Sequence, residues 1–311
     1  MTARHRPLSA ACSLATSPPQ LQTLAALVLV TALLAALPAR GQGVAETTPA
    51  LPSPAEPSAQ QLAQRLSNPL ADMVSVPLQF NWEQGVGPEG GTRFVMNFQP
   101  VVPFAIGRDW NLVGRMVLPV VGQPVLFPGG EATSGVGDVL LSGFFSPTKP
   151  SDGRRKSGAI WGVGPVISLP SNSEPTLGSG RWSAGPTVVL LKQSGRWTSG
   201  GLANHLWSFA GNDERKDVEQ TFIQPFVAYA TPTGVTYSVN SESTASWKAK
   251  SGERWTVPVN LTVSKMARFG PFPASYGIGG GYFVDKPTGG ADWKLRMAVT
   301  IILPKRGAGR P

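Results

Sequence analysis

Residues 255–265, Trp-Thr-Val-Pro-Val-Asn-Leu-Thr-Val-Ser-Lys, constrain the fold more than any other stretch of the chain. Trp255, Val257, Val259, Leu261 and Val263 are apolar, whereas Thr256, Asn260, Thr262 and Ser264 are small and polar. Successive side chains point to opposite faces of a strand, so this segment has one apolar face and one polar face. Residues 293–303 repeat the pattern, with Trp293, Leu295, Met297, Val299, Ile301 and Leu303 on one face and Lys294, Arg296 and Thr300 on the other. Strands of about ten residues with this two-residue period, behind an export signal, are the signature of a transmembrane β-barrel.

The export signal is expected at residues 1–41. Arg4, His5 and Arg6 form a basic start, 21–37 is an apolar stretch, and Ala39-Arg40-Gly41 offers small residues for cleavage. The rival, a membrane anchor, needs about 20 apolar residues and a following basic cluster; the core run 24–37 is shorter and leads into Pro and Ala. The one cysteine, Cys12, falls inside the signal, so the mature chain has no disulfide or thiol chemistry. With His5 also removed, His205 is the one mature histidine, which argues against a His/Cys zinc site; no metal and no cofactor are expected.

Removing residues 1–41 takes three Arg and no acid from the 27 basic and 18 acidic residues, leaving a net +6. That charge is scattered apart from Arg154-Arg155-Lys156 and Lys305-Arg306, whereas a nucleic-acid binder concentrates it in a stripe. No nucleic-acid partner is expected. The expected partners are outer-membrane lipid, a small-molecule solute and the barrel-assembly machinery of a Gram-negative cell.

The proline-rich stretch 42–58 reads as a disordered leader. A short helix is expected at 59–70, with Ser58 as N-cap, Gln61 at the capping-box position and Leu62 and Leu66 on one face, stopped by Asn68-Pro69. It has two possible places, on the periplasmic rim or in the barrel mouth as a plug. A barrel domain follows at 71–304, then a basic tail at 305–311. The fold class is all-β: an antiparallel up-and-down barrel of about twelve strands. The strands fall near 74–82, 92–104, 110–121, 136–146, 158–169, 181–192, 196–208, 218–230, 234–245, 253–265, 273–284 and 293–303. Twelve strands imply a narrow pore. Connections at 121–135, 146–157 and 170–180 are expected outside the cell, and short turns such as 231–234 on the periplasmic side.

The nine Trp all fall near strand ends, where a membrane barrel carries its aromatic girdles. Proline is the opposing signal: Pro77, Pro100, Pro103, Pro165, Pro186, Pro225 and Pro258 lie inside strands and each removes a ladder donor. Bulges or rim positions are the expected accommodation. A soluble periplasmic β-sandwich is the rival fold.

Several segments resemble one family of bacterial outer-membrane barrel transporters, related to the meta-pathway phenol-degradation barrels and often mislabelled "neuromedin U". They include Asn68-Pro-Leu-Ala-Asp-Met-Val-Ser-Val-Pro-Leu-Gln79, Asn97-Phe-Gln-Pro-Val-Val-Pro-Phe104, Gly135-Val-Gly-Asp-Val-Leu-Leu-Ser-Gly-Phe-Phe-Ser-Pro147, Asn204-His-Leu-Trp-Ser-Phe-Ala-Gly211 and Trp255-Thr-Val-Pro-Val-Asn260. The resemblance spans about 60–305. It implies a porin-like barrel in the outer membrane and solute passage, with no established substrate and no catalytic residue. The chain departs from the common aromatic ending of such barrels by running past Leu303 into a basic tail.

With the apolar face outward, the expected pore-lining residues are Arg93, Asn97, Arg115, Asp138, Arg181, Glu242, Asn260, Lys294 and Arg296. Gln99, Asn240, Ser142, Gln220 and Gln224 are expected beside them. Five cations against Asp138 and Glu242 leave the lumen near +3, a lining that favours anions. The bland reading is that these groups pair with one another and fill a plug. Gly135-Val-Gly-Asp138 lacks the Lys-Ser/Thr of a phosphate loop and reads as a strand entry. The glycines of 277–281 read as sites of bending or close approach. The functional expectation is a channel for small solutes, anionic or aromatic ones among them. A non-transporting structural barrel stands beside it, as does a lipid-modifying enzyme with His205 as base. No enzyme activity is expected, because no complete constellation accompanies His205.

Overall fold

Alternating side chains give each strand a face for lipid and a face for the lumen, and closure of the sheet gives every backbone group a partner. The computed structural model describes residues 57–148 and 158–304. The expected signal at 1–41, nearly all of the leader and the tail at 305–311 lie outside the described residues. One helix, α1 (Ala59–Leu66), precedes fifteen strand segments. These are β1 (Val74–Val86), β2 (Gly91–Phe98), β3 (Val101–Ile106), β4 (Trp110–Gln123), β5 (Thr133–Val136), β6 (Val139–Pro147), β7 (Ala159–Leu169) and β8 (Arg181–Ser194). The rest are β9 (Trp197–Gly211), β10 (Glu219–Ala230), β11 (Val235–Ser241), β12 (Ser243–Ser246), β13 (Trp255–Phe269), β14 (Phe272–Asp285) and β15 (Trp293–Leu303).

Three of these pairs are single strands broken once. β2 and β3 both lie between β1 and β4 and part at Gln99-Pro100. β5 and β6 share β4 and part at Gly137-Asp138. β11 and β12 share β10 and β13 and part at Glu242. Fifteen segments therefore make twelve antiparallel strands, and β15 pairs β1 from Val74↔Leu303 to Gln84↔Trp293 to close the barrel. The expected fold class and strand count hold.

In an up-and-down chain successive connections alternate between the two ends. Turns 107–109, 195–196, 231–234 and 270–271 share one end with the start of β1 and the finish of β15; this is the termini end. Connections 124–132, 170–180, 212–218, 247–254 and 286–292 share the other, the loop end. The expectation that 146–157 lies beside 121–135 and 170–180 is corrected by this parity. β6 finishes at the termini end, where the Thr148 amide donates to the Asp109 carbonyl at 2.8 Å.

The prolines are absorbed where the ladder lapses. Pro100 sits at the β2/β3 break, and Pro258 follows a register shift in the β13–β14 ladder. Pro165 and Pro186 face each other across β7 and β8. The β6–β7 ladder lapses between Ser142↔Val166 and Phe145↔Val163, and the β8–β9 ladder between Ala184↔Trp207 and Thr187↔Asn204, each resuming in the same register. Each missing donor thus falls on a stretch where no ladder partner waits for it.

Outward positions carry an apolar band. Leu190, Leu261 and Ile278 are 55–57% exposed, with Val188, Val239, Val259 and Met297 beside them. A soluble protein does not leave a continuous ring of such side chains in water. Trp110, Trp161 and Trp197 mark the termini end, and Trp82, Trp182, Trp207, Trp247, Trp255 and Trp293 the loop end. Edge-on Trp110–Trp161 and Trp247–Trp255 pairs, 6.0 and 6.1 Å between centroids, tie each girdle together, the first across the intervening β6.

α1 starts where Ser58 accepts the Gln61 amide and the Gln61 side chain accepts the Ser58 amide, a reciprocal cap. Its apolar face, Leu62, Ala63 and Leu66, packs with Met73 on Ala230, Met266 and Ile302 at the termini end. Gln64 fixes it laterally, donating to the Gly195 carbonyl and accepting from Gln193 Nε2 at 2.9 Å. Of the two expected places, the helix takes the mouth. The chain beyond it drives Leu70 into the barrel against Val113, Phe144, Val189, Leu191 and Leu202.

Candidate functional site

The lumen has two unlike walls. On β1, β2, β13 and β15 the inward positions are polar: Asn81, Glu83, Arg93, Asn260, Lys294 and Arg296. Their registers set them in rows. Arg93 and Lys294 flank Glu83 from the two neighbouring strands, and Arg296 lies beside Asn81 across the closing seam. Arg93 Nε donates to Glu83 Oε2 at 2.7 Å, and Arg296 Nε donates to Asn81 Oδ1 at the same distance. The seam is therefore joined by side chains as well as by the ladder.

Glu242 completes the network from across two intervening strands, β13 and β14. At the β11/β12 break its carboxylate takes both arms of the Arg296 guanidinium, at 2.9 and 2.6 Å, and the Lys294 ammonium at 3.3 Å. To reach β15 it must pass over β13 and β14, and β14 presents Gly277, Gly279 and Gly281 at this level. A Cβ at Gly281 would overlap Asn260 Oδ1, and one at Gly279 would overlap the Leu261 carbonyl. The glycines are a bare floor beneath the ion pair, the close-approach reading of 277–281. Asn260 is buried and donates to Asn240 Oδ1 at 2.8 Å, and Lys294 also lies 5.4 Å from the centre of the Phe283 ring.

From β4 to β10 the inward positions carry large apolar side chains among small and uncharged polar ones, Ser142, Ser146, Ser183, Thr187, Thr198 and Asn204, all buried. Val113, Phe144, Val166, Val189, Leu191, Leu202 and Leu206 are all buried, with Phe222 and Phe226 packed against them. Leu70 from the N-terminal segment lies on this wall. Between that segment and the barrel is a cavity of about 320 Å³ at the termini end, bounded by polar residues such as Gln79, Gln99 and Arg115 and by apolar ones such as Leu202 and Phe226.

Of the expected pore-lining residues, Arg93, Glu242, Asn260, Lys294 and Arg296 meet on the polar wall. Asn97 lies beside Gln79 on the same face of the sheet. Arg115 stands apart from the cluster, nearer the termini end and level with Val101 and Ser75, and donates to Gln99 Oε1 at 2.8 Å. Arg181 and Asp138 lie at the loop-end rim. Arg181 donates to Asp213 Oδ1 at 2.8 Å and Asp217 Oδ1 at 2.5 Å, and Asp138 Oδ2 accepts from the Ser179 amide and hydroxyl at 2.6 and 2.7 Å. Asn81 and Glu83 were not on the expected list, although Gln79-Phe80-Asn81-Trp82-Glu83 continues the two-residue period. With Glu83 added and the rim residues set aside, four cations face two carboxylates, a net +2 instead of +3.

His205 faces outward beside Trp207, ring centroids 4.1 Å apart. Its Nδ1 is 2.7 Å from Thr221 Oγ1, which also accepts from Trp247 Nε1 at 2.8 Å. The ring is built into the girdle, and its partner is a threonine, so no Ser–His pair forms through this contact. Among the described residues no group of His, Cys, Asp and Glu is arranged to hold a metal ion.

No family model matches the chain, and no curated protein matches it. The fold is similar to that of an outer-membrane channel from Pseudomonas putida F1, at a TM-score of 0.56 and 14% identity over 74% of this chain and 96% of that one. OmpF of Salmonella typhi, in its complex with daunomycin, aligns at 0.33 and 7% identity over 74% of this chain and 97% of that one. At such identities the likeness is one of fold: a twelve-stranded barrel of the kind found among outer-membrane channels.

Proposed function

We propose that the chain is an outer-membrane channel for small solutes that carry an apolar body and a polar end. The observation behind this reading is the two-walled lumen, which offers hydrogen bonds and charge on one side and Phe, Leu and Val on the other. A purely hydrophilic pore has no use for a buried Phe144, Val189 and Leu191, and a sealed core has no use for the charged row Arg93, Glu83 and Lys294. The outward apolar band and the two Trp girdles support the membrane setting. A solute of mixed character slides along both walls at once, with its polar end solvated by residues already hydrogen-bonded to one another.

Planar-bilayer conductance of the mature chain, with and without residues 42–70, tests the reading. A small conductance is expected from the intact chain and a larger one once the helix and Leu70 are gone. Current from neither form would overturn the channel and favour a structural barrel closed by its N-terminal segment. The packing of α1 across the mouth gives that second reading its footing. Recovery of the expressed protein from the periplasm without detergent would overturn the membrane setting itself.

A further inference from the structure

We propose that Arg115, with Gln99 and Gln79, forms a carboxylate-binding subsite in the termini-end cavity, taking small acids whose apolar body rests toward Leu202 and Phe226. The inference rests on the channel reading for its purpose but not for its chemistry. A guanidinium only donates, so Arg115 Nη2 turns the Gln99 carbonyl toward itself, 2.8 Å away. The Gln99 amide nitrogen then faces onward and donates to Gln79 Oε1 at 3.1 Å. Gln79, accepting through its oxygen, keeps its own NH2 group as a further donor. The cation thus orients the row so that each amide oxygen takes a bond inside it and N–H donors are left over.

The charge balance points the same way. Among the described residues no carboxylate is in ion-pair contact with Arg115, whereas Arg93 holds Glu83 and both Lys294 and Arg296 hold Glu242. The charged side chains lining the cavity are Arg115 and, from α1, Arg65; no Asp or Glu lines it. Glu242 lies near enough for its charge to act on Arg115 but is already held by Lys294 and Arg296. A half-buried cation in a cavity of about 320 Å³ with spare donors and no lining carboxylate is therefore completed by an incoming anion. A planar carboxylate matches the guanidinium fork, and the apolar residues bounding the same cavity suit an attached ring or short chain. The cavity is large enough for an aromatic acid.

Calorimetric titration of the detergent-solubilised barrel with benzoate and with benzyl alcohol, its neutral counterpart, tests the subsite. Benzoate should bind the unmodified protein more tightly than benzyl alcohol. Arg115→Gln should weaken benzoate about tenfold or more and leave benzyl alcohol unchanged. Equal benzoate affinity in Arg115→Gln and the unmodified protein overturns the subsite. If Arg115→Gln loses the heat-modifiable gel migration of a folded barrel, Arg115→Lys carries the test: it keeps the charge and loses the fork, so benzoate should weaken severalfold, and unchanged binding overturns the proposal. Conductance of the same preparations separates the two readings. Arg115-dependent benzoate binding without current leaves the subsite standing and the channel fallen, and current with Arg115-independent binding does the reverse.

Discussion

The polar wall and the apolar wall are made from the same alternating strands yet are held by different forces. The polar wall is a set of discrete, directional contacts: remove Glu242 and two cations lose their counterion together. The apolar wall is held by shape, with Leu70, Val113, Phe144, Val189, Leu191 and Leu202 sharing one packed cluster. Damage to a hydrogen-bonded charge network propagates to every partner, whereas damage to a packed wall stays near the void it leaves. The barrel concentrates its electrostatic organisation on the strands around the closing seam, and there the Arg296–Asn81 bond joins the last strand to the first.

The largest expected effect breaks the polar wall. Glu242→Ala strands the Arg296 fork and the Lys294 ammonium inside the barrel and should cost about 3–5 kcal/mol, the range for removing one partner of a buried ion pair. Leu191→Ala on the opposite wall should cost about 2–3 kcal/mol by loss of packing. Urea unfolding of both variants in detergent, followed by heat-modifiable gel migration, compares them. A Glu242→Ala barrel no less stable than Leu191→Ala would show that water already screens the network and that the two walls are energetically alike.

A second experiment sharpens the contrast at the mouth. Leu70 is the N-terminal segment's contact with the apolar wall, while α1 is held separately by Met73, Ala230, Met266 and Ile302. Leu70→Ala should loosen the segment at a cost of about 2 kcal/mol and raise single-channel current, leaving ion selectivity as it was. A change in selectivity with no change in current would mean that Leu70 also positions the polar wall.

How much of this was legible in the sequence follows the same division. Where one face is polar, the two-residue period assigns both faces correctly: Lys294 and Arg296 alternate with Leu295 and Met297, and the strand orients itself. In Val188-Val189-Leu190-Leu191 both faces are apolar, so the period carries no sign and the inner apolar wall is invisible. Phe144 and Phe145 hide the same fact in adjacent positions, one buried and one 43% exposed. Glu83 was missed because the first strand runs on past Trp82 to Val86. The partners of Glu242 lie more than fifty positions along the chain, and only the three-dimensional pairing of β11 through β15 brings them together. Arg181 has the spacing of an inward residue, but it opens its strand, and local position gives it to the loop carboxylates Asp213 and Asp217.

Selectivity offers a smaller effect. The four cations against two carboxylates predict a modest anion preference, measured as the reversal potential across a salt gradient. Lys294→Gln/Arg296→Gln removes two positive charges and leaves Glu242 unpaired, so the reversal potential should move toward cation preference. The preference is expected to survive any single substitution on the apolar wall, Phe144→Ala included. Cation preference in the unmodified protein would end the electrostatic distinction between the walls.

The smallest effect lies in the loops above each wall, whose clasps differ in kind. Over the apolar wall, Arg181 grips Asp217, and that hydrogen bond, with one from the Ser208 hydroxyl, holds the Asp217 carboxyl below the ordinary carboxylate range. Over the polar wall, Glu253 accepts from the Thr288 hydroxyl and amide, each at 2.7 Å, and these neutral donors likewise hold its carboxyl below the ordinary range. Both are depressed carboxylates, so each clasp contributes fully above the unfolded-state value and is lost as pH falls through the lower folded-state value. Acid should therefore loosen both loops. Salt should act unequally: an exposed ion pair is screened, whereas Glu253 is held first by a hydroxyl and an amide, with the charge of Lys250 the least of its influences. Hydrogen exchange at the Thr288 amide should change little from low salt to about 1 M NaCl at neutral pH, where the Debye length is about 3 Å. Exchange at the Val218 amide, which donates to Ser208 Oγ beside Asp217, should quicken over the same range. The Arg215 bonds to the Pro175 and Gly178 carbonyls, at 2.7 and 2.6 Å, accept no such screening of a paired charge and keep that loop attached. Equal salt sensitivity at Thr288 and Val218 would show that the two clasps differ in geometry alone.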